Sequence, residues 1–112
     1  MKVAQILESA RRHANLTKDQ LTWDGVKVDL NAGKDDLLSR RPDLKIDSAG
    51  AQQDIADAKS EGSDFDLPIR FAPIIGLYVA SAALRNSDRG VGKDRNAAID
   101  LMREYETKVR TT

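Results

Sequence analysis

The run FAPIIGLYVASAAL, residues 71–84, contains no charged side chain, although the whole chain carries 18 lysines and arginines and 18 aspartates and glutamates. A helix that is apolar on all sides must be covered on all sides. The run is also shorter than the roughly 20 apolar residues that cross a bilayer. We therefore predict a central helix surrounded by three other helices of the chain, with a second copy of the chain as an alternative source of part of that cover.

The balance of charges and the absence of cysteine exclude several kinds of site. Equal numbers of acidic and basic residues give no net charge, so the overall positive field of proteins that condense onto nucleic acid or anionic lipid is absent. Without cysteine there is no disulfide, thiolate nucleophile or cysteine zinc site, and His13 is the single histidine. No catalytic constellation is found, and we predict a protein that is not an enzyme and uses no cofactor or metal.

Two amphipathic patterns predict outer helices of the bundle. From Val3, apolar residues recur at spacings of three and four, and they are Val3, Ile6, Leu7, Ala10 and Ala14. The last helix is predicted to begin near Asp94, and its apolar stripe comprises Ala98, Leu101, Met102, Tyr105 and Val109. The uncharged helix is predicted to begin near Pro73 and to end at Asn86, before a turn rich in Gly and Asp over residues 87–93.

The segment 23–42 fits both a strand and a helix. In the first interpretation, Val26, Val28 and Leu30 alternate with polar residues. In the second, Thr22 caps a helix with one apolar face, which comprises Trp23, Val26, Leu30, Leu37 and Leu38. The local pattern leaves the two interpretations nearly even, because the two glycines of the segment each weaken a helix by about 1 kcal/mol relative to alanine.

Residues 47–66, called the acidic segment below, contain six acidic residues and one lysine. They lack the DxDxDG spacing of a calcium loop. Extended pieces at residues 44–46 and 65–67 favour a loose hairpin, and a helical turn over residues 51–56 is the alternative. The predicted fold is thus one mainly α domain, residues 1–112, a four-helix bundle-like arrangement with a long acidic loop or loose hairpin between helices 2 and 3.

Two basic features are assigned to the surface. Residues 89–93, RGVGK, lack the full GxxxxGK[ST] phosphate-loop pattern and have no buried strand before them, so an interhelical turn is predicted. The pairs Arg11/Arg12 and Arg40/Arg41 are too few and too scattered to bind nucleic acid on their own. We expect them on solvated helix surface, with an interface ion pair as the alternative.

Three groups of short motifs occur in an order and spacing that resemble a known family. They are ThrTrp at 22–23 with LeuAsn at 30–31 and ArgProAsp at 41–43, LeuPro at 67–68 before the apolar GLYVASAAL, and AsnAlaAla at 96–98 with Tyr105. Over essentially the whole chain, these motifs resemble the head-tail connector, or adaptor, proteins of tailed bacteriophages. The stretch before Pro68 departs from that family, in which it often forms a compact glycine-turn hairpin, because here it is longer and more acidic.

The resemblance implies a structural virion protein that assembles as a homo-oligomeric ring, typically of twelve copies. Such a ring docks under the portal after DNA packaging and extends the DNA channel of the virion neck towards the tail, after assembly in the host cytoplasm. The implied partners are other copies of the chain, the portal protein, a downstream tail, stopper or nozzle protein, and double-stranded DNA that passes through without sequence-specific binding. No membrane is implied, and the family's helical fold favours a helix over residues 24–40.

The resemblance also suggests roles for particular side chains. Acidic residues that face the channel would repel DNA phosphates, and our channel-lining candidates are Asp54, Asp57, Glu61 and Asp64. In resembling proteins the C-terminal end commonly engages the portal, and our portal-contact candidates are Tyr105, Lys108, Val109 and Arg110. A ring closed by one repeated contact needs two different adhesive surfaces on each copy, and we expect an uncharged helix that its own chain covers incompletely to supply one of them.

An alternative of another class is a small helical nucleic-acid-binding or regulatory module. In that case the arginine pairs on helices 1 and 2 contact phosphates. The affinity for duplex DNA would then fall steeply as salt rises.

Overall fold

Four α-helices form the domain. The computed structural model describes residues 1–47, 49–86 and 93–112. The helices are α1 (Val3–Ala14), α2 (Trp23–Arg40), α3 (Ala72–Arg85) and α4 (Lys93–Thr111), and short 3₁₀ helices cover Pro42–Lys45 and Ile69–Phe71. The prediction of a mainly α, four-helix bundle-like domain is confirmed. The turn predicted between α3 and α4 falls on residues 87–92, which lie outside the described residues.

Helix α3 lies at the centre of the domain, in contact with each of the other three helices. Of its residues, Pro73 and Arg85 are exposed, and Tyr78 and Ala83 are half-buried. The remaining residues are buried, namely Ala72, Ile74, Ile75, Gly76, Leu77, Val79, Ala80, Ser81, Ala82 and Leu84. A single chain therefore covers its own uncharged helix, and the expectation that this helix is incompletely covered is wrong.

Helices α1 and α3 approach each other closely at Gly76. A Cβ atom at this position would lie 2.6 Å from Ser9 Oγ and 3.2 Å from the backbone nitrogen of Ala10. A side chain larger than hydrogen would therefore push the two helices apart. The absence of a side chain at this position therefore allows the close packing of α1 and α3.

The segment 23–42, which fitted both a strand and a helix, forms the helix α2 as far as Arg40. Thr22 Oγ1 accepts a hydrogen bond from the Gly25 N–H at 3.2 Å, which caps the N-terminus as predicted. At Gly33 the cost in helix propensity is offset by packing, because a Cβ atom there would lie 2.8 Å from Tyr78 Cδ1 of α3. The strand interpretation is wrong, since the buried face has the helical spacing of Val26, Leu30, Leu37 and Leu38.

A short turn joins α1 to α2. Asn15 ends α1 in the left-handed region with a φ of 55°, a conformation that asparagine tolerates better than most residues. Thr17 Oγ1 then accepts from the Gln20 N–H at 3.3 Å, while Gln20 Oε1 accepts from the Thr17 N–H at 3.0 Å. This reciprocal pair of hydrogen bonds stabilises the turn.

Candidate functional site

The acidic segment is extended and irregular between α2 and α3. An isolated antiparallel bridge joins Ile46 to Gln52, and Gly50 turns the chain between them with a φ of 82°. Residues 51–56 contain no helical turn, so that alternative is wrong. The loose hairpin is reduced to this one bridge. The end of the segment pairs instead with the start of the chain, through an isolated antiparallel bridge between Lys2 and Asp64, and side chains of α2 hold the stretch between.

Asn31 of α2 takes the place of a neighbouring strand for the acidic segment. Its Oδ1 accepts from the Ala58 N–H at 2.7 Å, and its Nδ2 donates to the Ala58 carbonyl at 3.2 Å. One side-chain amide thus satisfies both backbone groups of an extended residue that has no strand beside it. This contact gives the asparagine of the LeuAsn motif a structural role.

Lys34, one turn further along α2, is a buried and charged anchor of the same segment. Its Nζ donates to Asp57 Oδ1 at 2.7 Å and to the Ile55 carbonyl at 2.8 Å, and it lies 2.9 Å from Asp35 Oδ1. The side chain is 2% exposed, and Nζ lies 5.7 Å from the centroid of the Phe65 ring. Burial alone would lower the pKa of this lysine, but the hydrogen bonds with the two carboxylates outweigh burial and raise the pKa.

Replacing Lys34 with methionine should destabilise the protein and release the acidic segment. The aliphatic volume is kept, but the hydrogen bonds of a charged donor are lost, and we expect the free energy of unfolding to fall by about 3 kcal/mol. Urea denaturation measures that loss. Hydrogen exchange should also show faster exchange of the Ala58 amide, because the backbone next to it is no longer held.

The matched control is Lys27→Met on the same helix. Lys27 Nζ lies 3.8 Å from Asp24 Oδ1, and the lysine side chain is 52% exposed. Exposed pairs of this kind contribute about 0.5 kcal/mol. Equal losses from the two variants would contradict the role of Lys34 as an anchor.

The raised pKa of Lys34 predicts that its contribution to the stability of the protein depends on pH. Because the pKa of Lys34 in the folded state is raised above its ordinary value of 10.5, its stabilising contribution is complete below pH 10.5 and is lost as pH rises through the raised pKa. The stability difference between the wild-type chain and Lys34→Met should therefore be constant near neutral pH and shrink in strongly alkaline solution. Urea titrations of both chains across that range measure it.

Three of the four channel-lining candidates share one surface. Asp54, Asp57 and Asp64 line a shallow cavity of about 310 Å³. Asp66, which was not a candidate, lines the same cavity. The side chains of Asp57 and Asp64 are each 64% exposed, and the other two residues are also exposed. We call these four aspartates the acidic patch.

Ion pairs neutralise part of the charge of the acidic patch, but its carboxylates remain exposed to solvent. Asp57 is bonded to Lys34, and Asp64 Oδ1 lies 3.1 Å from the amino nitrogen of Met1. Glu61, the fourth candidate, lies outside the patch, with its Oε1 4.0 Å from Arg11 Nη2. Since its side chain is 54% exposed, this glutamate also presents its charge to solvent.

Tyr105, a portal-contact candidate, is a core residue with 0% exposure. Its hydroxyl donates to Asp36 Oδ2 at 2.7 Å, and its ring packs edge-on against Tyr78 with the centroids 5.3 Å apart. Burial, and then the neighbouring Asp36 carboxylate, raise the pKa of Tyr105. Val109 is 1% exposed on the same apolar stripe of α4. Both side chains are buried in the core of the folded chain and cannot reach a partner. Their choice as portal contacts is therefore wrong.

The other two portal-contact candidates, Lys108 and Arg110, are exposed on α4. Because they are two residues apart, they point to nearly opposite sides of the helix. A partner that touches both must therefore wrap around the end of α4. They stay candidates for a contact with the portal.

Arg41 was expected on solvated surface, but its hydrogen bonds join the end of α4 to the end of α2. Its Nη1 donates to the carbonyls of Val109 and Thr112 at 2.9 and 3.1 Å. Its Nε and Nη2 donate to the two carboxylate oxygens of Asp43, each at 3.0 Å, and this bidentate bond lowers the pKa of that carboxyl. The ArgProAsp motif therefore closes the bundle at this end.

Other arginines of the predicted surface pairs also bind within the molecule. Arg11 Nε donates to the Leu21 carbonyl at 2.9 Å, and Arg40 Nε donates to Asp36 Oδ2 at 2.8 Å. Arg12 is exposed. A phosphate would have to compete with these internal bonds, which weakens the case for nucleic-acid binding through the arginine pairs.

A groove between α3 and α4, called the arginine groove below, was not predicted. Its volume is about 370 Å³, and it is lined by Ser81, Arg85, Arg95, Ala98, Ile99, Met102, Arg103 and Glu106. Ile99 supplies apolar surface and is 45% exposed. The signal in the sequence is the four-residue spacing of Arg95, Ile99 and Arg103, which places them on one face of a helix.

Two other kinds of feature could indicate a function among the described residues, namely metal sites and membrane-spanning helices. Within residues 1–47, 49–86 and 93–112, no three His, Cys, Asp or Glu side chains are grouped to hold a metal ion. No helix of the described part of the chain has the length and apolar character needed to cross a membrane. Comparisons with protein-family models, curated proteins and solved structures gave no match. The acidic patch and the arginine groove are therefore the candidate functional surfaces.

Proposed function

We propose that this chain is a structural virion protein, an adaptor that forms a ring below the portal and extends the DNA channel between capsid and tail. The observation that supports the proposal most is the acidic patch, in which exposed carboxylates lie on a backbone that is held by α2 and by residues 1–3. A wall along which DNA slides needs fixed negative charge, because basic side chains on it would bind phosphates.

The anchors of the acidic segment suit such a wall. Asn31 and Lys34 hold the backbone at Ala58 and Ile55, so the neighbouring carboxylates of Asp54 and Asp57 stay in position. Lys34, whose charge pairs with Asp57, is 2% exposed, so passing DNA does not reach it. The exposed Lys59 lines the same cavity, and it is one positive charge against the four aspartates of the patch. Duplex DNA carries a negative charge about every 1.7 Å along its axis, and the patch repels it without forming an adhesive contact.

The burial of α3 within a single chain supports assembly from subunits that are already folded. Because one chain covers its own uncharged helix, each subunit folds alone and then joins its neighbours through surface side chains. Repeated contacts between two different surfaces generate a ring when the rotation closes. Lys108 and Arg110, the exposed candidates on α4, are proposed to meet the portal.

A density map of the assembled virion neck tests the channel assignment. We expect the acidic patch to lie nearest to the channel axis in every subunit. Finding Asp54, Asp57 and Asp64 on the outer rim would overturn it.

A binding experiment tests the same assignment in solution. The double variant Asp54→Lys with Asp66→Lys should bind duplex DNA with an affinity that falls steeply with salt, whereas the wild-type protein should not bind. The matched control is Asp19→Lys with Asp100→Lys, which reverses two exposed charges outside the patch. Wild-type binding as tight as that of the double variant would contradict a non-adhesive wall.

A further inference from the structure

We propose that the arginine groove of one copy receives the outer face of α2 from the next copy, and that this is the repeated contact of the ring. The inference rests on the proposed function, because it assumes self-assembly. It names the two surfaces that meet, which are the arginine groove and a helix face centred on Val28.

The outer face of α2 carries an exposed apolar side chain between two exposed aspartates, which suits binding to that groove. Val28 is 75% exposed, the most exposed large apolar side chain of the described residues. Asp24 and Asp35 lie on the same face, four residues before it and seven after it, and their side chains are 89% and 63% exposed. Each has one lysine neighbour, with Lys27 on the flank of the face and Lys34 buried beneath it.

The groove presents the complementary character. Ile99 and Met102 form an apolar floor between the exposed guanidinium groups of Arg85, Arg95 and Arg103. One carboxylate, Glu106, is present against these arginines. An amphipathic helix commonly binds by laying its apolar side chains into such a groove while charges pair along the rim.

Charge also determines which pairs of these two surfaces can bind each other. Two grooves facing each other would oppose arginine with arginine, and two α2 faces would oppose aspartate with aspartate. Both symmetric contacts are therefore disfavoured. The pairing of groove with helix face joins unlike surfaces, which gives the head-to-tail contact that a ring requires. At one end the helix face adjoins the acidic patch, because Lys34 Nζ contacts both Asp35 and Asp57.

Disulfide trapping tests the contact, and the chain has no cysteine of its own to interfere. Full-length Val28→Cys and Ile99→Cys chains, distinguished by a mass tag, are mixed and briefly oxidised. We expect a disulfide-linked heterodimer that forms about tenfold more readily than with control chains, and less readily at high salt. A chain with both substitutions should give a ladder of linked multimers.

The controls are Ile46→Cys and Ile69→Cys, because Ile46 and Ile69 are 54% and 64% exposed elsewhere on the molecule. Each is mixed with Ile99→Cys under the same conditions. If Val28→Cys links to Ile99→Cys no better than the controls do, the proposed contact is overturned.

Sedimentation of the wild-type chain separates this failure from that of the proposed function. If the wild-type chain assembles while the trapping is unselective, the groove contact is wrong and the ring proposal stands. If the chain assembles neither alone nor beside the portal, both are wrong. If duplex DNA binds and Arg95→Glu with Arg103→Glu abolishes that binding, the groove belongs to nucleic acid and the contact between copies is overturned.

Discussion

Replacing Tyr105 with alanine should lower the free energy of unfolding by about 4 kcal/mol, which is the usual cost of removing a large buried aromatic side chain. The ring is 0% exposed and packs against Tyr78 of α3. Its hydroxyl is bonded to Asp36 of α2. One side chain thus joins three helices, and a domain of this size has a total stability of only about 5–15 kcal/mol. Urea denaturation measures the loss.

Tyr105→Phe separates packing from the hydrogen bond. The phenylalanine keeps the buried ring but leaves Asp36 with its bond to Arg40 alone, and we expect a loss of about 1 kcal/mol. An alanine variant that is as stable as the wild-type protein and fails only to bind a portal would contradict the assignment of Tyr105 to the core.

Gly76→Val should lower the free energy of unfolding by about 3 kcal/mol, because the new side chain overpacks the contact between α1 and α3. Its Cβ alone would lie 2.9 Å from Ser9 Cβ and 3.2 Å from the Ala10 backbone nitrogen. Valine has a slightly better helix propensity than glycine. A measured loss therefore reports crowding between the helices and not a weaker α3.

A second substitution in α1 provides the control for Gly76→Val. Adding Ser9→Gly removes the two side-chain atoms nearest to the new Cβ, and it should restore part of the lost stability through a coupling of about 1 kcal/mol. If Gly76→Val is neutral, or if Ser9→Gly simply adds its own loss, the two helices are not as close as the structure places them.

The central helix was predictable because its signal lies within its own residues. An uncharged run in a highly charged chain must be enclosed, and α3 is enclosed by its three neighbours. The α2 segment was not decided locally, since its valines fit a strand as well as a helix. What decides it is distant, namely the packing of Gly33 against Tyr78.

The path of the acidic segment could not be predicted for a similar reason. Asn31 and Lys34 look like ordinary polar residues of a helix, and their partners lie more than 20 residues further along the chain. Sequence periodicity does not show such pairs. In contrast, the burial of Tyr105 followed from its place on the apolar stripe of α4, and the resemblance to adaptor proteins wrongly moved it to the surface.

The most direct test of the central claim is sedimentation of the purified chain over a wide concentration range, alone and with the portal protein that the proposed function implies. The claim is that complete, separately folded subunits close into a ring. We predict one large species of fixed mass, formed either at high concentration or on the portal. A chain that sediments as a monomer at every concentration, and also beside the portal, would contradict the claim.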